Sequence, residues 1–315
     1  MNRSDAFFLK PVPELTLVAD MLVRATPLIL AGLAVALAFR GGVFNIGAEG
    51  QLLAGAAAST AVTLALSKLP GTLVILAAAV AGAAAGALWA AIAAELKRRF
   101  HVLEIISTIM LNFVAIHLVS YLVRGPLQES TGIYPQTETF VLAARLPVVL
   151  PGTRLHLGFV AAVLIALALA WVMRNTAWGF RVKAIGSSPR AAWSAGAIDV
   201  ERSSFMVFVV SGALAGLAGS TEVSGVTFAL YENLSPGHGY TAIAVALIAA
   251  LNPAAVIASG IFFGALETGA TAMQREFAIP SSLASVAEAA LILAVLSVAA
   301  YRGRSLPGLP RKAAT

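Results

Sequence analysis

Long apolar segments recur along this 315-residue chain, and they limit its folds more than any other feature. Hydrophobic residues make up 59% of the sequence and charged residues only 11%, a balance that is unusual for a water-soluble domain. An apolar helix of about 20 residues crosses a bilayer. The predicted spans are 15–39, 51–67, 73–96, 105–123, 157–173, 204–220, 239–251, 254–271 and 283–301. We therefore predict an all-α polytopic membrane protein, a bundle of about nine (8–10) transmembrane helices forming one domain over residues 1–315.

A polar, glycine-rich stretch separates the first two predicted spans. Residues 41–51 read GGVFNIGAEGQ, with four glycines and a single carboxylate. Each glycine destabilises a helix by about 1 kcal/mol relative to alanine, and the polar side chains are unfavourable in lipid unless they meet protein or water. Such a break is tolerated where it lines a cavity or packs against neighbouring helices. We therefore predict a broken or re-entrant segment near 41–51 that gives a small solute passage.

The candidate side chains for this path lie in the break and in two later helices. They are Phe44, Asn45, Glu49, Gln51, Asn112 and Glu267. Glu49 has two interpretations, a substrate or gating group and a carboxylate that interacts with the N-terminal end of the helix at 51–67. Asn45 is either a ligand contact or a helix cap.

A polar stripe runs along the predicted 105–123 helix. Glu104, Thr108 and Asn112 follow the i, i+4, i+8 spacing that places side chains on one helix face. Glu104 lies near a basic cluster, and we expect it to pair with Arg98 or Arg99. Asn112 lies deeper, and this position makes it the candidate for the path.

Clusters of Lys and Arg indicate the orientation in the membrane. They occur at 97–99, in the 174–203 loop and in the 302–315 tail. The positive-inside rule places all three in the cytoplasm, and the 124–156 loop outside. Counting spans backward puts the N-terminus outside, although Arg3, Lys10 and Arg24 favour the inside. Either a leading span is missing from this sequence, or one of the first segments does not cross.

Pairs of glycines four residues apart occur in three predicted spans. They are Gly82 and Gly86, Gly212 and Gly216, and Gly260 and Gly264. Helices in lipid associate through close backbone contact, which small residues at this spacing permit. We expect these pairs to lie at helix–helix contacts in a compact bundle.

The 174–203 loop contains a predicted short helix. Its residues include Ser188, Pro189, Arg190, Ala191, Ala192, Trp193 and Gly196. Ser188 supplies a capping hydroxyl, Pro189 suits the first helical position, and Gly196 suits the end. From the residues alone, this helix is either a docking element for another protein or an amphipathic helix at the membrane surface.

Several kinds of chemistry lack their residues here. The sequence has no cysteine and no Gly-x-x-x-x-Gly-Lys-Ser/Thr motif, so thiol catalysis is excluded and no ATP site of this type is present. Its four histidines are scattered, and we expect no metal site and no catalytic group. The basic clusters lack interleaved aromatic residues, so no nucleic-acid partner is expected.

The motifs together resemble a known family. LVRATPLILAGLAVALAFR followed by GGVFNIGAEGQ, EIISTIMLNF at 104–113, the loop from Asn175 to Gly196 and GYTAIAVALIAALNP at 239–253 are similar to permease subunits of bacterial nucleoside ABC importers. These belong to a larger group of permeases for simple sugars and branched-chain amino acids. The resemblance extends from about residue 22 to residue 301.

The resemblance implies a division of labour. A second permease, as a heterodimer, would complete the path in the bacterial plasma membrane, with the C-terminus in the cytoplasm. A separate ATPase subunit would bind ATP, so this chain would need no cofactor, and the 188–196 helix would dock the ATPase as a coupling helix. An external lipoprotein would deliver the substrate. The alternatives are a permease for simple sugars or branched-chain amino acids, an intramembrane enzyme, and an uncoupled channel.

Overall fold

The computed structural model describes residues 13–194 and 198–277, together with a few helical positions between 286 and 297. This part contains ten α-helices: α1 (Pro13–Arg40), α2 (Ala48–Ala65), α3 (Gly71–Phe100), α4 (Glu104–Arg124), α5 (Leu157–Asn175), α6 (Ala177–Ser187), α7 (Pro189–Ser194), α8 (Val200–Glu222), α9 (His238–Ile248) and α10 (Pro253–Phe277). A 3₁₀ turn (Leu142–Ala144) and a π-helical turn (Val223–Thr227) complete it. The predicted span 283–301, apart from those few positions, and the tail 302–315 lie outside the described residues.

The prediction of a polytopic α-helical membrane protein is confirmed. Six described helices, α1, α3, α4, α5, α8 and α10, are long and apolar enough to cross a bilayer. The predicted span at 239–251 is an 11-residue helix, His238–Ile248. At a rise of 1.5 Å per residue it is about 16 Å long, roughly half the hydrocarbon thickness.

The bundle has two different ends. The basic end carries Arg40, Lys97, Arg98 and Lys183. The loop end is formed by the segments 124–156 and 228–237, which are joined by backbone hydrogen bonds from Thr137 to Leu230 and from Phe140 to Phe228. Helix α1 runs from the loop end to the basic end, and α8 runs in the opposite direction.

Both α1 and α8 are followed by an interruption and a second helix. Residues 41–47 separate α1 from α2, and residues 223–237 separate α8 from α9. Because α1 and α8 run in opposite directions, the two units are inverted with respect to each other. Inverted units that meet at broken helices are a recurrent way to build a transport path.

Helix α2 occupies the centre of the described bundle. It packs against α3, α4 and α8, and most of its residues are buried. The Ser59 hydroxyl pairs with the Ser220 hydroxyl of α8 at 2.8 Å, while Thr60 and Thr63 donate to backbone carbonyls of their own helix. Protein atoms rather than lipid therefore satisfy the polar groups of this helix.

The corner between α3 and α4 corrects one expected ion pair. Glu104 accepts a hydrogen bond from Lys97 at 2.8 Å, and Arg98 and Arg99 both pair with Glu95 on their own helix. His101 is the residue that caps the C-terminal end of α3, and its positive φ of 54° reverses the chain. This reversal brings Lys97, rather than either arginine, to the start of α4.

Candidate functional site

The predicted broken segment is present between α1 and α2. Helix α1 ends at Arg40, Gly42 has a φ of +71°, and Gly47 is the residue before α2. The Val43 amide bonds back to the Ala38 carbonyl at 2.9 Å, which closes the end of α1. A positive φ favours glycine, so Gly42 supplies the turn that ends α1.

A pair of buried amides holds the break closed. Asn45 and Gln51 exchange two hydrogen bonds of 2.9 Å through their side chains. Asn45 Nδ2 also donates to Ser211 Oγ at 2.9 Å, and the Ser211 hydroxyl donates to the Ala34 carbonyl at 2.8 Å. Asn45 Oδ1 accepts from the Gly47 amide, so Asn45 caps a turn before α2 and is not the N-cap residue itself. This network joins α1, the break, α2 and α8.

Asn112 fastens the same segment to α4. Its Oδ1 accepts from the Gly50 amide at 2.8 Å, and its Nδ2 donates to the Ile46 carbonyl at 3.0 Å. The same Nδ2 lies 3.2 Å from the hydroxyl of Tyr240, at the start of α9. Asn112 of α4 therefore connects the first interruption and the start of α2 with the start of α9.

Glu49 links the first turns of the two helices that follow the interruptions, α2 and α9. Its Oε2 accepts from the Gly239 amide at 2.7 Å, and the residue is only 3% exposed. A carboxylate is favourable at a helix N-terminus, and this one serves the N-terminus of α9. Glu49 lies in the first turn of its own helix, α2, as expected, and its carboxylate also bonds to the N-terminus of a second helix. Gly239 has no room for a side chain, since a Cβ there would overlap the Glu49 backbone.

The structure brings five of the six predicted path residues together and leaves one apart. Asn45, Glu49, Gln51 and Asn112 form the buried cluster described above. Phe44 is half-buried beside Phe39, with ring centroids 5.4 Å apart. Glu267 lies in α10 and has Arg24 and His238 as charged neighbours. Contact of any of the six with substrate stays a prediction.

A charged cavity of about 490 Å³ opens at the loop end between α1, α8, α9 and α10. Its lining includes Asp20, Arg24, Arg154, Glu222, His238 and Glu267. Glu267 Oε2 lies 3.9 Å from both Arg24 Nη1 and His238 Nε2. Of this group, only Glu267 is among the path residues predicted from the sequence. The glycines on either side of His238 were the available signal for the second interruption.

The basic end has a second cavity, of about 380 Å³. Gly41 and Gly42 lie on its wall, together with Lys97, Glu104 and Pro189. The first residues of the break therefore border the same space as the first residue of α7. The break lies between one cavity at each end of the bundle.

The short helix predicted from Ser188 and Pro189 is observed as α7. Ser188 Oγ accepts from the Ala191 amide at 3.3 Å, as expected for a capping hydroxyl. Trp193 is 72% exposed and Arg190 is exposed, while Ala192 is buried against the protein. Gly196, the predicted end of the helix, lies outside the described residues. Helix α7 thus presents a tryptophan and an arginine on an open surface.

The glycine pairs lie at close helix contacts. Gly82 and Gly86 of α3 face Gly212 and Gly216 of α8, where a Cβ on any of the four would meet the facing helix at 3.0 Å or less. Gly260 and Gly264 of α10 approach Ile29, Met21 and Ala25 of α1. The pattern also includes Gly55 and Gly219, which bring α2 and α8 together. Neither glycine has another glycine four residues away in the sequence, so the four-residue spacing did not reveal them.

An ion pair at the loop end connects α4 to the second interruption. Arg124 binds Glu232 through two hydrogen bonds, of 2.6 and 2.7 Å, and the Ser120 hydroxyl donates to the same carboxylate. The Arg124 guanidinium and the Ser120 hydroxyl lower the pKa of Glu232 to about 2. The second interruption is therefore tied to the end of α4.

In this bundle, the two helices that follow the interruptions, α2 and α9, meet in the interior, and a polar cavity lies at each end. This is the architecture of a membrane transport protein. The chain belongs to the family described as the permease component of the branched-chain amino acid transport system, whose model matches residues 17–296. It is accordingly an ABC transporter permease of the simple-sugar and branched-chain type, a transport subunit rather than an enzyme.

Three relatives cover most of the chain. The glucose ABC transporter permease protein TsgB13 of Haloferax volcanii is 40% identical over 88% of this chain and 75% of its own length. The guanosine ABC transporter permease protein NupP of Bacillus subtilis is 36% identical over 92% and 83%. The nucleoside ABC transporter permease protein NupB of Lactococcus lactis is 30% identical over 87% and 78%.

Each of these organisms has a second matching permease of lower identity. These are TsgC13, described as a putative glucose permease, at 27%, NupQ at 28% and NupC at 26%. No solved structure matches the chain significantly.

Proposed function

We propose that this chain is a permease subunit of an ATP-driven importer that moves nucleosides into the cell across the bacterial plasma membrane. The observation that carries the proposal is the identity to NupP and NupB, which are named for guanosine and for nucleosides and align with 92% and 87% of the chain. The sequence holds no P-loop motif, so a separate subunit would hydrolyse ATP.

Glucose is the second candidate substrate, because TsgB13 is 40% identical to the chain. Uptake by the complete transporter in proteoliposomes separates the two. We expect ATP-dependent accumulation of labelled guanosine, with a large excess of unlabelled adenosine competing and glucose not competing. Accumulation of glucose without guanosine would transfer the proposal to the simple-sugar class, and accumulation of neither would remove it.

The proposed orientation places the basic end in the cytoplasm. It is supported by Arg40, Lys97, Arg98 and Lys183 at that end, since cytoplasmic ends of membrane proteins are rich in Lys and Arg. The 124–156 loop then lies outside and the 302–315 tail inside. Because the chain contains no cysteine, Thr131→Cys and Ser194→Cys give single reactive sites. An impermeant maleimide applied to intact cells should label only Thr131→Cys.

The path is proposed to pass beside the contact between the two interruptions. Asn45, Gln51 and Asn112 have their amide groups bonded to protein, which suits residues that hold the path in shape. Glu49 joins the start of α2 to the start of α9, and Phe44 lies in the first interruption. Glu267 contributes to the cavity at the loop end, where substrate would arrive.

Helix α7 is proposed to couple this movement to ATP hydrolysis. Docking to an ATPase is supported over contact with lipid by the ABC permease family of the chain, and α7 exposes Trp193 and Arg190 at the basic end. ATP-driven closure of the ATPase pair would then push on α6 and α7 and rock the bundle.

The transporter is proposed to contain two different permeases and an external binding lipoprotein. The heterodimer is supported by the pairs NupP with NupQ and NupB with NupC, in which both members match this chain. Co-purification from the native membrane should recover this chain with a second permease and an ATPase. Recovery of this chain as the sole permease would favour a homodimer.

A further inference from the structure

The loop-end cavity contains two buried polar side chains whose positions suggest a ligand. Glu222 is 5% exposed and His238 is 6% exposed, and both line the cavity. In the part of the chain that the structure describes, no side chain donates a hydrogen bond to the Glu222 carboxylate, and His238 Nδ1 is buried without a partner. The Glu222 carboxylate therefore takes its hydrogen-bond donors from whatever occupies the cavity, and a ligand with hydroxyl groups would supply them.

The charges of the cavity favour a neutral ligand with several hydroxyl groups. Its lining combines two arginines, Arg24 and Arg154, with three acids, Asp20, Glu222 and Glu267. A hydroxyl group can donate to a carboxylate and accept from a guanidinium, so it fits both kinds of partner. A strongly charged ion would meet like charge on one side of this cavity.

The remaining wall suits the flat face of a sugar or a base. Tyr231 contributes an aromatic ring, and Leu234, Pro236 and Val226 contribute apolar surface. The volume of about 490 Å³ falls in the range of about 300–1,000 Å³ that is typical of small-molecule sites.

We propose that the loop-end cavity is a binding subsite for the substrate, in which the Glu222 carboxylate accepts hydrogen bonds from a vicinal diol. The inference rests on the proposed function, because nucleosides and glucose share this diol. It adds a recognition site within a single chain, formed by α1, α8, α9 and α10. Substrate would bind here before it reaches the contact between Glu49 and Gly239.

The test compares Glu222→Gln with wild type in the complete transporter, using analogues that lack single hydroxyls. For wild type, we expect kcat/KM for guanosine to exceed that for 2′-deoxyguanosine or 3′-deoxyguanosine by about 10-fold, the effect of one hydrogen bond to a charged group. Glu222→Gln should lower the guanosine value about 10-fold and leave the sensitive deoxy analogue within about 2-fold. If wild type carries glucose instead, the 2-, 3- and 4-deoxyglucoses replace the nucleosides.

Two further variants keep the test decisive. Glu201→Gln, at the basic-end cavity, is the matched control and should leave the ratio of analogues unchanged. Thr271→Phe places a ring in the loop-end cavity without altering Glu222, and it should reduce uptake of every analogue while assembly with the ATPase is retained. An equal loss for all analogues in Glu222→Gln, or unchanged uptake in either Glu222→Gln or Thr271→Phe, would overturn the subsite. Wild-type uptake alone reports on the proposed function.

Discussion

Gly42 and Gly186 touch across the junction between the broken segment and the end of α6. A Cβ on Gly42 would lie 3.1 Å from the Gly186 Cα, and a Cβ on Gly186 would overlap the Arg40 carbonyl oxygen. Gly186 is three residues before Pro189, the first residue of α7. The proposed movement of α7 would therefore reach the break through a backbone-to-backbone contact that leaves no room for side chains.

Replacement of Gly186 with alanine should weaken this coupling. The added methyl group forces α6 away from the end of α1, so ATP hydrolysis should continue while nucleoside uptake per ATP falls roughly 5-fold. Both rates are measured on the same proteoliposomes. Gly269→Ala is the matched control, since a Cβ at that exposed position would meet no other part of the described chain within 4 Å. A Gly186→Ala transporter with wild-type stoichiometry would show that the contact transmits nothing.

A negative charge introduced on α7 should separate the ATPase from the permease. Arg190→Glu and Trp193→Glu change two large exposed side chains of a six-residue helix without touching its buried Ala192. We expect at least about a 10-fold loss of ATPase affinity if either side chain is a central contact of the interface. Co-purification and ATP-driven uptake measure the effect.

Tyr134→Glu provides the comparison, because Tyr134 is 62% exposed at the loop end. It should leave ATPase association intact. Survival of both association and uptake in the two α7 variants would return α7 to the interpretation of a membrane-surface helix.

Local composition predicted the first interruption, and long-range pairing completed it. Four glycines and three polar residues in an apolar chain indicate a break at 41–51 whatever surrounds it. The partner of Glu49 lies 190 residues away, at Gly239, and no periodicity connects the two positions. A single sequence therefore identifies the carboxylate without identifying the helix that it caps.

The loop-end cavity shows the same limit more strongly. Glu222 is the last residue of α8 and His238 is the first residue of α9, and polar residues at helix ends are also typical of a membrane surface. They line one cavity because the second interruption, residues 223–237, keeps the end of α8 and the start of α9 at the same end of the bundle. Likewise, the turn at His101 determines that Lys97 pairs with Glu104. The sequence shows three adjacent basic residues at 97–99 and does not indicate which of them forms this ion pair.

Removal of the Asn45 amide should destabilise the fold. Asn45→Ala deletes the hydrogen bonds to Gln51 and Ser211 and leaves the buried Gln51 amide and the Gly47 amide without that partner. Each unsatisfied buried group costs about 1–3 kcal/mol, so we expect a loss of about 2–4 kcal/mol. Thermal unfolding in detergent measures it. Asn175→Ala is the control, since the Asn175 side chain is exposed and bonds only to the Trp171 carbonyl. Equal melting temperatures for the two variants would contradict the role of the amide pair.

Acid should destabilise the protein through His156, which precedes α5 at the loop end. Burial, with a smaller contribution from the positive charge of Arg154, lowers the pKa of His156 from 6.5 to about 4. Its Nδ1 accepts from the Gly158 amide, and its ring packs on Gly225 of the π-helical turn. The neutral ring is therefore the form that fits the fold.

The sign of the effect follows from proton uptake. Below pH 6.5 the unfolded chain protonates this histidine, whereas the folded chain stays neutral until about pH 4, so stability falls across that interval. His156→Asn, which retains a short acceptor near the Gly158 amide, should reduce this slope in melting temperature, and the exposed His101→Asn should not. A slope that is the same in both variants and in wild type would assign the acid sensitivity to other groups.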